Sequence, residues 1–254
     1  LPFVFPGPNS TVWVVDIENH RITELDEAGA IARMFPFVGA IHQVVPLDTG
    51  RVVVGGILAA MPSPAEVDRD FDPGHPYHIM TRQGTVERSF GTWQRQGSAS
   101  PLPLAVGPDG HLFQAGGARY AVLEMTDHGD TVRVYQRDAP WFPETSSEQP
   151  DPNAPVLTHV RVDDRRRLWT RILLPTGPYR DAFDRSGRYS VASFDRIRDS
   201  VIEVLDTAGG TVVARLRLPR AEAGFLPGSD LLYTVRQDST GYVYFDLWDL
   251  AIAD

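Results

Sequence analysis

The 254-residue chain contains no cysteine and no lysine, and only three asparagines. Without cysteine there is no disulfide, no zinc-thiolate centre and no thiol nucleophile. All 24 basic residues are arginine, so Schiff-base chemistry on a lysine amine is excluded. A GC-rich genome explains this composition, and a surface selected to lack amines is the alternative. No apolar run approaches the ~18 residues of a membrane helix, so we expect no membrane insertion.

The charge balance excludes a further class of partner. The net charge is −9, from 33 acidic and 24 basic residues, whereas nucleic-acid binders carry a basic stripe. The densest basic run, Arg165–Arg167, follows two aspartates and indicates a charged turn. We therefore expect no nucleic-acid partner. The chain is 42% hydrophobic and 22% charged, which is typical of a folded domain with a large core, and we expect 1–254 to form a single domain.

What the chain does contain is a repeat. Five short segments have an aliphatic residue followed by a large apolar one, and a tight turn rich in Pro, Asp, Asn and Gly precedes each. These segments are 11–16, 51–56, 111–117, 167–172 and 231–236. A hairpin pattern follows four of the five segments. Aligned on the turn residues Gly29, Gly84, Gly129 and Gly209, these hairpins place Leu25, Met80, Met125 and Leu205 in register.

The pattern therefore predicts four short antiparallel strands in each unit. The spacing between units is about the length of a propeller blade. We predict an all-β fold, a β-propeller of four-stranded antiparallel blades, with five units in this sequence and six in the full protein. The units are about 2–38, 41–93, 101–138, 156–219 and 223–251. The last shows three strands, and its outer strand either precedes residue 2 or is residues 1–6. Residues 181–194 predict an additional hairpin, which is an insertion in the fourth unit or part of an extra blade.

The aromatic strands, the "ELD..G" hairpin and the C-terminal stretch 215–250, which ends "YVYFDLWDL", resemble bacterial six-bladed β-propeller proteins of the NHL-like type. The resemblance covers nearly the whole chain and implies a fold more than a function. Many such proteins are secreted or lie in the cell envelope, so it implies an extracellular, periplasmic or envelope location. The number of units departs from the family, because this sequence shows five and the family has six blades. The resemblance therefore implies either a blade upstream of Leu1 or that 181–194 belongs to a sixth blade.

Two inserted segments, 59–77 and 139–155, interrupt the repeat, and loops of this length are often functional. In the first, Asp68, Asp70 and Asp72 alternate like the first ligands of a calcium loop, which needs spaced oxygen donors. A calcium loop also needs a glycine at its sixth position and a glutamate at its twelfth, and both are missing. Calcium at these aspartates is one hypothesis and a solvated acidic loop is the alternative; no other cofactor is expected.

Propeller ligands usually bind at a central channel lined by the innermost strands. Aligned on their turns, His42 and Thr158 share one level, and Gln43 and His159 share the next. These four are candidate ligand-binding residues, because a small-molecule site needs a few convergent polar groups. Trp93 and Trp141 lie in or beside the inserted segments. They are candidates for a binding platform, and the alternative is that such aromatics fill gaps between blades.

No reaction can be named from these residues. There is no Gly-x-Ser-x-Gly elbow, and the inner strands carry no acids at matching levels, as a lactonase-like calcium site would require. We expect a non-enzymatic binding or scaffold propeller that recognises a protein or small-molecule partner through the inserted loops and a channel face. The alternatives are a metal-dependent, lactonase-like hydrolase, and a structural subunit of an extracellular assembly that forms a homo-oligomer through an open blade edge.

Overall fold

The computed structural model describes residues 3–7, 11–37, 39–58, 77–90, 103–116, 119–143, 151, 153–183, 187, 190–220, 222–226 and 231–252. The chain divides into two compact units. Unit 1 comprises Leu1–Pro101, Gly110–Leu112 and Met125–Thr131, and unit 2 comprises Leu102–Asp109, Phe113–Glu124 and Val132–Asp254. Trp13 lies in the apolar core of unit 1, and unit 2 has cores around Phe113 and Trp169.

The described strands form five sheets that follow one another along the chain. Sheet 1 is β1 (Phe3–Pro6), β2 (Val12–Asp16), β3 (Arg21–Leu25) and β4 (Ile31–Pro36). Sheet 2 is β5 (Gly39–Pro46), β6 (Arg51–Leu58), β7 (Tyr77–Thr81) and β8 (Val86–Phe90). Sheet 3 is β9 (Leu104–Val106), β10 (Leu112–Ala115), β11 (Ala121–Met125) and β12 (Thr131–Gln136). Sheet 4 is β13 (Val156–Val162), β14 (Arg167–Pro175), β15 (Arg198–Asp206) and β16 (Thr211–Leu218). Sheet 5 is β17 (Ala223–Phe225), β18 (Leu231–Gln237) and β19 (Val243–Asp249).

The hairpin turns close with their own side chains. In sheet 1 the Asp26 carboxylate accepts hydrogen bonds from the backbone N–H groups of Ala28 and Ala30, at 3.0 and 2.8 Å. Thr81 and Thr126 make the same pair of bonds to residues two and four positions later. Each turn then needs a residue at positive φ, which glycine adopts without strain. Gly29, Gly84 and Gly129 occupy that position, but in sheet 4 it is Gly210 (φ 67°) and not the predicted Gly209.

The repeated aliphatic-aromatic segments are the second strands of the five sheets. Trp13, Phe113 and Trp169 lie at equivalent points of three of them and are buried. In sheet 1 the Trp13 ring meets Phe35 of β4 edge-on, with ring centroids 5.1 Å apart. Bulky residues recur there because these side chains fill the apolar cores.

Two sequence expectations are wrong. The described residues of 181–194 include no strand of the predicted hairpin: a 3₁₀ helix runs over Tyr179–Ala182 and the helix α1 over Val191–Asp195. The segment is an insertion in sheet 4, since β14 pairs with β15 from Arg167 opposite Asp206 to Pro175 opposite Arg198. Residues 1–6 are not the outer strand of the last unit either, because Phe3–Pro6 is β1 and pairs with β2.

Five sheets are present among the described residues, so the sixth blade expected for a full protein stays a prediction, as does the single domain. Among those residues no helix has both the length and the apolar character needed to cross a membrane.

Candidate functional site

The most elaborate local structure in unit 2 is the insertion between β14 and β15. Pro175 and Pro178 end β14, because proline lacks the N–H that a strand ladder needs. The chain returns through α1, whose first turn is closed by a capping box: Ser190 accepts from the Ser193 N–H at 3.2 Å, and the Ser193 hydroxyl accepts from the Ser190 N–H at 3.2 Å. The start of α1 is therefore stabilised by its own polar groups.

This insertion is tied to the end of the other inserted segment. The Asn153 side-chain oxygen accepts a hydrogen bond from the Tyr179 N–H at 2.8 Å. Asp151 fixes Asn153 in turn, accepting from its backbone N–H at 2.8 Å and from its side-chain amide at 3.1 Å. The amide is held with its oxygen toward Tyr179, so Asn153 and the residues around Tyr179 lie on one surface.

A pocket of about 500 Å³ opens on that surface. Tyr179 lines it, with Phe183 edge-on at 5.2 Å between ring centroids and Phe194 at 6.1 Å. The Arg198 guanidinium lies 5.9 Å from the Tyr179 ring centroid, a cation–π contact. Burial lowers the pKa of Arg198. The pocket is lined by Asn153, Pro178, Tyr179, Arg180 and Phe183, so its wall is mostly rings, with an exposed guanidinium at Arg180.

A second polar group lies on the inner strands of sheet 4 and contains two of the predicted residues. The Arg171 side chain is 3% exposed. It donates to the Ser200 hydroxyl at 3.0 Å, to the Thr158 hydroxyl at 3.1 Å and to Nδ1 of His159 at 3.0 Å. Burial lowers the pKa of Arg171 to about 10, opposed by the charges of Glu222 and Tyr233.

His159 is held in its neutral form by this arrangement. Burial, followed by repulsion from the Arg171 guanidinium, lowers the pKa of His159 to about 3. Because Arg171 can only donate, the bond assigns Nδ1 as an acceptor and places the ring proton on Nε2. The structure therefore brings Thr158 and His159 together as acceptors for a buried cation.

Of the other predicted ligand-binding residues, the side chains of Gln43 and Trp141 are described. Gln43 is half-buried on β5 of unit 1; the side chain of His42 and all of Trp93 lie outside the described residues. Trp141 is half-buried and packs on a unit 2 core, with the Arg215 guanidinium 4.6 Å above its ring. Ligand binding by all six stays a prediction.

The candidate calcium ligands Asp68, Asp70 and Asp72 also lie outside the described residues. His78, which follows them, is a buried core histidine: Ser89 Oγ is 2.7 Å from Nδ1 and the Gly56 carbonyl is 3.0 Å from Nε2. Calcium binding by the three aspartates stays a prediction.

Two acids of sheet 3 come together, but around an arginine. Arg166, at the turn between β13 and β14, hydrogen bonds to Asp109 and to Glu124, the latter at 2.9 Å. The Arg166 guanidinium bonds both carboxylates and neutralises negative charge that a metal ion would otherwise neutralise.

The sequence reasoning missed Arg171, Asn153 and Tyr179. Arg171 interrupts an otherwise apolar strand in "RLWTRI", and a charged residue in such a strand signals a buried polar group. Tyr179 follows Pro175, Gly177 and Pro178, which end a strand, and the Ser190–Ser193 pair signals a helix start. Together these signals predict a structured insertion in place of the hairpin. Nothing in the sequence pairs Asn153 with Tyr179.

Comparisons support the fold. No family model matches the chain, and no curated protein does. A solved structure of a DUF4221-family member from Bacteroides vulgatus superposes with a TM-score of 0.59 at 12% identity, over 98% of this chain and 80% of that one. Virginiamycin B lyase from Staphylococcus aureus gives 0.46 at 14% identity, over 96% and 83%. The chain has a β-propeller fold with five blades; at these identities the likeness shows the fold alone.

Proposed function

We propose that the chain is a non-enzymatic binding propeller, secreted or in the cell envelope, and that it recognises a partner protein at the pocket around Tyr179. The supporting observation is the hydrogen bond from the Tyr179 N–H to Asn153, which joins two inserted segments into one lined surface. The pocket walls are Pro, Tyr and Phe, and Arg180 lies beside them. This chemistry suits an aromatic side chain flanked by acids, since aromatic anchors dominate interfaces and guanidinium binds carboxylate.

The pocket holds no arrangement typical of an enzyme. The polar side chains that line it are the Asn153 amide, the exposed Arg180 guanidinium and the Tyr179 hydroxyl, and none of the three is a base at neutral pH. A metal-dependent hydrolase remains the second hypothesis; the carboxylates of Asp109 and Glu124, which could serve as metal ligands, are both bonded to Arg166.

The test uses a short peptide with a central tryptophan between glutamates, and a second peptide with glutamines in their place. Nuclear magnetic resonance should show shifts at residues 151–155 and 176–183 on titration. We expect Tyr179→Ala to weaken binding at least tenfold, because stacking on the ring is lost. Arg180→Gln should weaken binding of the glutamate peptide and leave the glutamine peptide unchanged.

The matched control is Asn19→Ala. Asn19 is an exposed asparagine held by Asp16, with hydrogen bonds of 3.1 and 2.7 Å, as Asn153 is held by Asp151. Asn153→Ala should release the Tyr179 backbone and weaken binding, while Asn19→Ala should not. Equal binding by these two variants, or shifts located elsewhere in the chain, would show that the pocket is not the recognition site.

A further inference from the structure

Two arginines and a histidine share one face of the two inner strands of sheet 4. His159 lies opposite Arg171 in register, and Arg161 lies opposite Trp169. Directly opposite residues of an antiparallel pair project from the same face of a sheet, and so do residues two apart on one strand. On that face the Trp169 ring meets Phe225 of β17 edge-on, with 6.5 Å between the ring centroids. The basic side chains therefore project toward the inner strand of sheet 5.

Arg171 orients His159 as a hydrogen-bond donor. Arg171 is 3% exposed, and its guanidinium donates to Nδ1 of His159 at 3.0 Å. The ring proton is therefore on Nε2, and the Nε2–H group points away from the arginine. Among the described residues no group accepts a hydrogen bond from this Nε2–H, and His159 is half-buried. The histidine thus offers one oriented donor to a ligand.

Arg161 is a second donor on the same face. It is half-buried, and its guanidinium lies 5.5 Å from the centroid of the Trp169 ring. Burial lowers the pKa of Arg161, opposed by the charges of Asp163 and Asp164. Asp163 is itself occupied, because it accepts hydrogen bonds from Arg167 at 2.7 Å and from the Trp169 indole at 3.0 Å. The lowered pKa means that the surroundings compensate the charged guanidinium only in part, which favours a bound anion.

Sheet 5 brings a tyrosine and an acid near Arg171. Tyr233 of β18 is paired in register with Gly224 of β17, and a Cβ on Gly224 would lie 2.6 Å from the tyrosine hydroxyl oxygen. The Tyr233 ring therefore extends across the inner strand at the glycine. Burial raises the pKa of Tyr233, and the Arg171 charge opposes that rise. Glu222, exposed just before β17, also acts on Arg171, so an anion bound here would compete with the Glu222 carboxylate.

The aromatic rings beside these donors distinguish between kinds of anion. Trp169 and Phe225 are both buried next to the basic face. Inorganic phosphate carries more charge than a carboxylate, so moving it from water to a place beside buried rings costs more free energy. A carboxylate has one charge and two oxygens, which match two donors, and the carbon chain of an organic acid can pack on the rings. The surroundings therefore favour an organic acid.

We propose that this face of sheet 4 binds the carboxylate of a small organic acid, which accepts hydrogen bonds from the His159 Nε2–H and from the Arg161 guanidinium. Arg171 holds His159 in the donor tautomer and adds positive charge behind it. The site gives the predicted ligand-binding residue His159 a class of ligand. It shares no residue with the pocket around Tyr179, so failure of one proposal leaves the other intact.

The probe is butyrate, with butyramide as a neutral molecule of the same shape and inorganic phosphate as a second anion at equal ionic strength. We expect calorimetry to give binding of butyrate at least about tenfold tighter than of butyramide, because charge-assisted hydrogen bonds need the carboxylate. Butyrate should also bind more tightly than phosphate. Nuclear magnetic resonance of the histidine ring nitrogens should show a shift at Nε2 of His159, while Nδ1 stays an acceptor.

Charge variants make the test specific. Arg161→Gln should weaken butyrate binding about tenfold or more. The matched control is Arg133→Gln, since the Arg133 guanidinium lies 5.7 Å from the Tyr135 ring centroid in sheet 3, and it should leave binding unchanged. Glu222→Gln should tighten binding about twofold or more, because it removes a competing charge.

Glu222 is exposed, so its variant tests the site even where Arg161→Gln fails to fold, which unfolding midpoints will show. Equal affinity for butyrate and butyramide, tighter binding of phosphate, or no binding of butyrate would each overturn the proposal. So would equal affinities of the Arg161→Gln and Arg133→Gln variants, or a Glu222→Gln variant that binds butyrate no more tightly than the wild type.

Discussion

Sheets 4 and 5 of unit 2 share the pairing of their second and third strands but differ in how far the third strand is covered. In both, a threonine of the second strand is opposite an acid of the third: Thr170 with Glu203, and Thr234 with Asp246. In sheet 4, β16 covers the third strand, β15, and seven of the nine residues of β15 are buried. In sheet 5 no described strand covers β19, and six of its seven residues are exposed. Burial of a third strand is thus decided by its outer neighbour more than by its own sequence.

The largest expected difference between the two sheets is in the cost of removing a third-strand aliphatic side chain. Ile202 is 2% exposed and packs with Trp169 and Phe225, whereas Leu247 is 59% exposed. We expect Ile202→Ala to lower the free energy of unfolding by about 2–5 kcal/mol, and Leu247→Ala to change it by about 0.5 kcal/mol or less. Urea denaturation measures both. A comparable loss from Leu247→Ala would mean that β19 is covered in solution.

The two acids should differ next. Glu203 is fully buried and contacts Arg137, Arg215 and the Tyr120 hydroxyl. Glu203→Gln should cost about 1–3 kcal/mol, because a buried charge-assisted network loses its anion. Asp246→Asn should cost about 1 kcal/mol or less, since exposed ion pairs contribute little. Chemical denaturation of the two variants tests this, and equal costs would refute the assignment of Glu203 as the buried anchor.

A pH titration should separate the sheets as well. The pKa of His159 in sheet 4 is about 3 in the folded protein, below the unfolded value of about 6.5. The unfolded chain therefore takes up the proton first, and stability present above pH 6.5 is lost as the pH falls toward 3. The loss from this residue approaches about 1.4 kcal/mol per pH unit.

His159→Gln should remove that part of the acid sensitivity, since glutamine can still accept from Arg171. His78, whose pKa burial also lowers, remains in both proteins. Unfolding at pH 7 and pH 5 gives the comparison: the wild type should lose more stability than the variant. Strands β17, β18 and β19 contain no histidine, so hydrogen exchange in acid should rise first in sheet 4. Identical pH profiles would contradict the neutral form of His159 beside Arg171.

The smallest expected effect, the cost of replacing a turn glycine, should be the same in both sheets. Gly210 in sheet 4 has φ 67° and Gly241 in sheet 5 has φ 93°, and an added Cβ is strained at positive φ. Gly210→Ala and Gly241→Ala should each cost about 1 kcal/mol. Gly209→Ala, at a residue without positive φ, is the control and should cost less. Thermal unfolding distinguishes them, and a larger cost at Gly209 would restore the turn alignment that the sequence suggested.

The fold was accessible from the sequence because its signals are local. Alternating apolar residues, a bulky second strand and self-capped turns at Asp26, Thr81 and Thr126 each lie within a few residues of their effect. The sequence predictions failed where distant residues or competing local signals determine the structure. Gly210 and Gly209 are adjacent and both are plausible turn residues, and the "DAFDRSGRYSVASF" segment has hairpin-like spacing although Ser190 and Ser193 cap a helix.

The candidate site was only partly accessible, for a related reason. Thr158 and His159 could be placed on an inner strand by turn alignment, but their common partner is Arg171 of the next strand, 13 and 12 residues away respectively. The Asn153–Tyr179 bond spans 26 residues and two insertions. Such pairings follow from three-dimensional register and leave no periodic trace in the chain.

The self-capped turns also bear on how quickly the molecule assembles. A hairpin whose turn satisfies its own N–H groups can close within microseconds and needs no distant contact to set its register. Successive sheets can thus form in order as the chain emerges from the ribosome, with a low effective contact order for an all-β protein. The exceptions are the pairings of β6 with β7 and of β14 with β15, because each closes a much longer loop. The loop between β14 and β15 is the longer of the two, so that closure is expected to be the slowest strand pairing, and Ser190→Ala should delay it.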